Sequence, residues 1–437
     1  MSVCGEPASA IDVGSTLPGL PSLDGGSGRP ATAIAGPSAG AGSRVRSLFE
    51  VRLQLRQQAL RTVAVVGTSL AGLRSAQELR ARGFGGRLVM IGAEPPYDRP
   101  PLSKDFLLGK VSADDLALAG QAGLDALEAE WHLGVRAEKL GGDGVVLDDG
   151  TTIAADGYVI ATGAVARTLG AARNLKGVHT LRTLADATSL KRDLAAGPSS
   201  VVVIGAGFIG AEVASACRSL GNDVTVIEAM AVPLAPVVGP EMGAVCGALH
   251  AENDVRLLAG VPVAGLTGTD RVTGVRLADG RMIPADLVVA GVGARPVTEW
   301  LTGSGLAVDD GVLVDSGCVT ANPRVIAVGD VARYRCPLRG RRIRAEHWTA
   351  ANDQPAVAVA NLLAGSTVTH FARHGYFWSD QYGHRIQFAG VATEDVRIVE
   401  GDVTSKRFVA AFHRDDVLTG VFAIDSPRPF TRLRRSL

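Results

Sequence analysis

Two glycine-rich turns in one chain, GTSLAG at 67–72 and GAGFIG at 205–210, constrain this sequence more than any other feature. Each follows an apolar, Val-rich run (63–66 and 201–204) and opens a stretch compatible with a helix. A strand that ends in such a turn and leads into a helix offers backbone N–H groups and a positive dipole end to a pyrophosphate. The order strand, turn, helix, strand runs twice: TVAVVG, LAGLRSAQELRARG and RLVMIGAE, then VVVIGAG, FIGAEVASACRSLG and DVTVIEA. Each repeat predicts a parallel sheet with a right-handed crossover, so the expected class is α/β with two Rossmann-like nucleotide-binding units. DGYVIATGA (156–164) and DLVVAGVGARP (286–296) read as matching buried strands, one per unit. VIAVGDVA (325–332) reads as a further strand with Asp330 at its carboxyl end, where open α/β sheets place ligands. From about His370 the alternation in FVAAFH and VLTGVFAI predicts a small C-terminal α+β unit.

The 437 residues exceed what one hydrophobic core usually supports. The expected division is a flexible extension over 1–61, a discontinuous first unit over 62–172 and 297–366, a second unit over 173–296, and a C-terminal unit over 367–437. Residues 1–43, rich in Gly, Ala, Ser and Pro, read as a flexible lead or an over-extended translation start. Residues 44–61 read as a basic amphipathic helix or simply a solvated segment. Lys plus Arg and Asp plus Glu both total 44, which recommends neither nucleic acid nor an anionic membrane as a partner. No apolar run is long enough to span a bilayer, and Cys4, Cys217, Cys246, Cys318 and Cys336 show no paired spacing. A cytoplasmic protein, monomeric or weakly dimeric and without a Cys-based metal site, is expected.

The two turns are not equivalent. GAGFIG keeps Gly205, Gly207 and Gly210 around Ile209, and Glu228 follows Gly205 by 23 positions, the spacing of an acid that holds the 2′-OH of NAD. Ala229, Met230 and Ala231 bring no Arg for a 2′-phosphate, so NADH is favoured over NADPH. GTSLAG carries Ser69 where the middle glycine belongs, and alone it would serve equally as a packing turn. Glu94, 27 positions after Gly67, sits where a carboxylate can take ribose hydroxyls.

Immediately after Glu94 comes YDRPPLSK (97–104), followed by ATGA (161–164), LRTLADA (181–187), VIGAGFIGAEVA (203–214), VGARP (292–296), AVGDVA (327–332), RAEHWTAANDQ (344–354) and FWSDQYG (377–383). With GTSLAG, these motifs over about 62–430 resemble the FAD-dependent ferredoxin reductases of the pyridine nucleotide-disulfide oxidoreductase superfamily, in the branch of the putidaredoxin reductases and the reductases of biphenyl dioxygenase systems. The resemblance implies a glutathione-reductase-like fold, with FAD in the first unit and NAD in the second. It implies FAD held by Gly67, Ser69, Ala71 and Gly72 at the pyrophosphate, by Ala93 and Glu94 at the ribose, and by Arg99 and Lys104 nearer the phosphates and flavin. The Ala137 backbone would lie by the adenine, with Ala161, Arg182, Asp330 and Trp348 completing the site. NAD would fall to Gly205, Gly207, Ile209, Gly210, Glu228 and Gly293. Lys104 is implied to pair with Glu212 beside the flavin, and Lys104, Glu212 and Trp348 form the implied catalytic set. Other duties fit the same residues: Asp330 as a helix cap, the Lys104–Glu212 pair as a structural tie. Trp378 is expected to pack in a core, and nothing makes His347 a metal ligand.

The chain has no Cys from Gly5 to Ala216. Disulfide reductases of this superfamily pass electrons to a CxxxxC or CxxC pair, and related oxidases and peroxidases use a single Cys, so that route is absent here. The expected acceptor is an iron–sulfur ferredoxin serving a cytochrome P450 or a ring-hydroxylating oxygenase. RYRCPLRGRRIR (333–344) packs six Arg into twelve residues after the AVGDVA strand, and reads either as a basic patch that steers an acidic protein or as a solvated loop. An NADH oxidase or rubredoxin reductase on the same fold, and a redox-gated flavoprotein resembling apoptosis-inducing factor, are the competing expectations.

Overall fold

Val63, Ala64 and Val65 are each wholly buried, so the first Val-rich run is covered on both faces, as a central parallel strand requires. The computed structural model describes residues 60–170, 175–197 and 199–437. The lead over 1–43 and most of the segment 44–61 lie outside the described residues. Strand β1 (Thr62–Val66) runs through the Gly67 turn into helix α1 (Leu70–Ala81) and returns as β2 (Arg87–Gly92). With β3 (Ala129–Leu133) and β4 (Gly157–Ile160) they form a parallel sheet in the order Val325–Ala327, β4, β1, β2, β3.

The second sheet repeats the plan. β5 (Ser200–Ile204), α2 (Phe208–Ser219), β6 (Asp223–Glu228) and β7 (Leu287–Ala290) give the parallel order Arg256–Ala259, β6, β5, β7, Val178–His179. The motifs 156–164 and 286–296 are counterparts in detail. Each supplies the strand beside the one that carries the glycine turn, and each begins with an Asp that pins that strand's first residues. Asp156 accepts from the Arg61 and Thr62 amides at 2.8 and 2.9 Å, and Asp286 from the Ser200 amide at 2.9 Å. Each unit also carries a three-stranded antiparallel insertion, at Ala137–Gly141, Gly144–Leu147 and Thr152–Ile153, and at Val263–Gly268, Val272–Leu277 and Met282–Pro284.

Trp300, Leu301, Val312 and Val314 pack into the core of the first sheet, and Val325–Ala327 joins its edge. The Arg-rich segment is ordered: Ala332–Cys336 pairs antiparallel with Arg341–Arg344, so the alternative of a solvated loop is replaced by a hairpin. Helix α3 (Trp348–Ala364) then lies along α1, tied by Arg74 Nε to Asn352 at 2.9 Å and by Arg82 to the Ala356 carbonyl at 2.9 Å.

The C-terminal unit is an antiparallel sheet of β8 (Tyr376–Gln381), β9 (His384–Gly390), β10 (Asp395–Asp402), β11 (Arg407–Arg414) and β12 (Val417–Ile424), ordered β8, β9, β12, β11, β10. Helix α4 (Pro427–Arg434) covers one face through buried Phe430. The other face, built on Phe377, Phe388, Phe408, Phe412 and Phe422, closes on Leu234, Val238, Met242 and Leu249 of the second unit. Among the described residues no helix is long and apolar enough to cross a membrane. Phe412 is wholly buried in this junction, so Phe412→Ala is expected to cost about 3–5 kcal/mol. Thermal unfolding should show a clearly lower Tm, and an unchanged Tm would contradict the packing described.

Candidate functional site

The outer glycines of both turns are required by backbone approach. A Cβ on Gly67 (φ +113°) would lie 2.1 Å from the Ala161 carbonyl oxygen, and one on Gly72 would lie 1.7 Å from that of Gly67. In the second turn a Cβ on Gly205 (φ +100°) would lie 2.4 Å from the Gly291 oxygen, and one on Gly210 would lie 2.0 Å from that of Gly205. The middle position is different, because a Cβ on Gly207 would meet nothing within 4 Å. Glycine there serves the open space over the helix start rather than the fold. Ser69 occupies the same position in the first turn, and its hydroxyl accepts from Arg99 Nη1. Neither α1 nor α2 receives a side-chain cap, so the first N–H groups of both helices remain free of side-chain acceptors. Both turns therefore fit a pyrophosphate. Ile209 is exposed at the rim of the second.

Around the first turn the implied residues join in one polar run. Glu94 accepts from the Tyr97 hydroxyl at 2.8 Å and pairs with Arg99 at 3.4 Å. Burial pushes the Tyr97 phenol up. Arg99 lies over the Tyr97 ring and donates to the Arg182 carbonyl at 3.2 Å. Arg182 in turn bonds Asp330 at 2.6 Å and the Ala164 carbonyl at 3.0 Å. Trp348 Nε1 donates to Asp98 at 2.9 Å. Ala71, Ala93 and Ala161 are small, at least partly buried residues beside the turn or at the ends of β2 and β4. Ala137 and Gly293 are not drawn into this run. Ala137 opens a strand opposite Leu147, and the Gly293 carbonyl accepts from the Arg167 amide at 2.9 Å. At the second turn, Glu228 accepts from the Ala206 amide at 2.8 Å and the Met230 amide at 2.9 Å, which orients the carboxylate and leaves lone pairs for a ribose hydroxyl.

A buried ion pair joins the 97–104 segment to the helix that follows the second turn. Lys104 Nζ is 2.7 Å from Glu212 Oε2, and the Glu212 side chain is only 2% exposed. Sequence reading found this pair but missed the groups that hold it. Ser103 donates to the same oxygen as Lys104, and Ser379 donates to Oε1 at 2.6 Å. Gln381 Nε2 then donates to Ser379 at 3.0 Å. The missed signal is the alternation in YFWSDQ, which places Phe377, Ser379 and Gln381 on one buried face. The same alternation corrects the expectation for Trp378: it faces the other way, half-buried, with its ring centroid 6.0 Å from Trp348 and 6.0 Å from Tyr376.

Cys217, Cys246, Cys318 and Cys336 are buried free thiols. Desolvation pushes Cys217 and Cys246 up to about 12, which keeps both thiols protonated and unreactive. No cluster of three or more His, Cys, Asp or Glu that could hold a metal ion occurs among the described residues. In the basic hairpin, Arg333 pairs with Asp309 at 2.5 Å, and Arg344 with Asp310 and Glu346. Arg335, Arg339, Arg341 and Arg342 have no carboxylate partner among the described residues. A cavity of about 340 Å³ separates this hairpin from the C-terminal sheet, with Arg339, Arg341, Arg342, Arg373, His347 and His374 in its wall. Burial holds His347 below the usual imidazole range, and its ring stacks 5.0 Å from that of Phe377.

Residues 61–354 match the family described as pyridine nucleotide-disulphide oxidoreductase, and 376–437 match the one described as reductase C-terminal. The chain is 37% identical over 383 residues to rhodocoxin reductase of Rhodococcus erythropolis, covering 86% of this chain and 89% of that protein. It is 38% identical over 381 residues to the ferredoxin–NAD(+) reductase component of the anthranilate 1,2-dioxygenase system of Burkholderia cepacia, covering 85% and 92%. Among solved structures, the covalent putidaredoxin reductase–putidaredoxin complex aligns with a TM-score of 0.80 at 32% identity, over 86% of this chain and 92% of that one.

The two kinds of glycine separate experimentally. Gly210→Ala forces its Cβ against backbone and is expected to lower Tm sharply. Gly207→Ala should leave Tm unchanged while raising KM for NADH about tenfold, equal to about 1.4 kcal/mol. Thermal unfolding and steady-state kinetics on the pair check this, and equal Tm losses would refute it.

Proposed function

The chain belongs to the pyridine nucleotide-disulphide oxidoreductase family, and on that premise we propose that it is an FAD-dependent NADH:ferredoxin reductase. The acceptor is an iron–sulfur ferredoxin that serves a cytochrome P450 or a ring-hydroxylating oxygenase. One observation carries this choice within the family: each described cysteine is buried, so no thiol is presented to take electrons onward. Residues 62–172 with 297–366 hold FAD, 173–296 hold NADH, and 367–437 complete the reductase.

When bound, FAD supplies the conversion of a two-electron donor into two single-electron deliveries. The remaining work is binding, orientation and exclusion of water. Gly67, Ala71 and Gly72 bring backbone N–H groups to the FAD pyrophosphate, while Arg99 holds Ser69 aside and Glu94 takes ribose hydroxyls. Asp330, oriented by Arg182, accepts from the ribityl chain. Ala93, Ala137 and Ala161 line the adenosine and turn side through backbone and small side chains. Gly205, Gly207, Ile209 and Gly210 seat the NADH pyrophosphate, Glu228 takes its 2′-OH, and Gly293 completes that site. Lys104, fixed by Glu212, would supply a positive charge to the bound flavin, and Trp348, tethered to Asp98, would help hold it.

Docking falls to the hairpin. Arg333 and Arg344 are neutralised locally, which leaves Arg335, Arg339, Arg341 and Arg342 to face an acidic partner. Charge reversal at exposed Arg335 and Arg341 is expected to slow ferredoxin reduction about tenfold or more at low salt, with the difference shrinking as salt rises. Ferricyanide reduction should be unaffected, and equal loss of both activities would remove the docking role. Glu228→Arg is expected to move preference toward NADPH, and an unchanged NADH to NADPH ratio of kcat/KM would contradict the assignment of Glu228. Anaerobic stopped-flow with an iron–sulfur protein, against the same reduced enzyme mixed with O₂, distinguishes this reading from an NADH oxidase. Faster reoxidation by O₂ would favour the oxidase.

A further inference from the structure

Strand β8 presents two different faces. Tyr376 and Trp378 line the side that reaches Trp348, while Phe377, Ser379 and Gln381 are buried against α2. The strand is docked along that helix at several points. The Phe377 ring lies 4.5 Å from that of Phe208 and the Tyr382 amide donates to Ser215 Oγ at 2.8 Å, while the Tyr382 hydroxyl bonds His250 of the separate helix Pro240–Glu252 at 2.7 Å. Ser379 is thereby delivered to Glu212 from a part of the chain remote from both members of the ion pair.

The hydrogen-bond directions in this cluster follow from chemistry. An ionised carboxylate only accepts, so the single Ser379 proton goes to Glu212 Oε1. Ser379 Oγ must then accept, and the group opposite it is Gln381, whose amide nitrogen faces it at 3.0 Å. That orientation leaves the buried Gln381 Oε1 without a partner among the described residues. Turning the amide over would satisfy no more atoms, because it would set Gln381 Oε1 against an oxygen with no proton left to give. On the other side, Ser103 and Lys104 both bond Oε2. The Glu212 terminal torsion is intrinsically broad, and donors on both oxygens remove that freedom. Lys104 has a flexible four-carbon stem, so its ammonium is held only as firmly as its carboxylate partner.

We propose that Ser379, aimed by Gln381, is a positioning residue through which the C-terminal sheet clamps Glu212 and so fixes the Lys104 ammonium at the reduction site. The proposal rests on the reading above that places Lys104 beside the flavin. It makes the C-terminal unit part of the NADH half-reaction as well as of partner docking.

The test uses the full-length holoprotein with Ser379→Ala, Ser379→Thr, Gln381→Met and, as reference, Lys104→Met. Four quantities are read: kcat and KM for NADH with ferricyanide, the midpoint potential of the bound FAD, FAD content and Tm. Lys104→Met is expected to make the potential more negative and to lower kcat. Ser379→Ala should shift the potential in the same direction by less and lower kcat about tenfold, with KM within about twofold and FAD retained. Ser379→Thr should recover most of the loss, because it restores the hydroxyl. Gln381→Met should reproduce the Ser379→Ala pattern more weakly, and it carries the test should Ser379→Ala not fold. The proposal is overturned if Ser379→Ala keeps the parent kcat and potential while Lys104→Met loses them, or if the Ala and Thr variants are equally impaired. Should Lys104→Met itself move neither quantity, the placement of Lys104 fails, and this inference fails with it.

Discussion

A single buried carboxylate, Glu212, holds together the parts of this molecule that must act in concert. Its donors come from the 97–104 segment of the first unit and from the edge strand of the C-terminal sheet, while Glu212 itself sits near the amino end of α2 in the second. Removing one partner from such a buried pair typically costs about 3–5 kcal/mol, since the remaining charge is stranded away from water. The three parts therefore cannot drift apart without exposing or orphaning that charge. This constraint keeps the second glycine turn, the Lys104 ammonium and the inner face of β8 in register.

Around that centre the chain uses one plan twice. In both sheets an Asp pins the start of the central strand, an outer glycine at positive φ meets a neighbouring carbonyl, and a second outer glycine lets the helix close on the turn. The two copies differ where a ligand would be told apart. The first is enclosed by Ser69, Arg99, Glu94, Arg182 and Asp330, a polar run joined through side chains and the Arg182 carbonyl, which suits a dinucleotide that stays. The second keeps open space at Gly207, with Ile209 and Met230 exposed beside it, which suits one that comes and goes.

Much of this was legible in the sequence because it is carried by local signals. The Gly turns, the covered Val runs and the pairing of 156–164 with 286–296 follow from backbone sterics and burial on both faces. Glu94, Glu228 and Asp330 were expected from their position relative to those elements, and Arg182 from the resemblance alone. Ser103, Ser379 and Gln381 were not, because a hydroxyl or amide acquires its meaning only from the group it faces, here Glu212, which is 167 residues from Ser379. Trp378 was assigned to a core because large aromatics usually go there. Strand register decided otherwise, since a shift of one residue exchanges the two faces. The Arg-rich segment showed its charge in sequence, but which Arg are neutralised depends largely on Asp309 and Asp310 being brought to it by the fold, Glu346 being a near neighbour of Arg344.

Electrons enter from NADH and leave one at a time to an iron–sulfur protein. Reduction of cytochrome c by NADH, with and without an added [2Fe–2S] ferredoxin, measures this directly. The expected rate rises with ferredoxin, saturates, and is much slower with NADPH as donor. A rate indifferent to ferredoxin, with NADH consumed at the same speed through O₂, would contradict it.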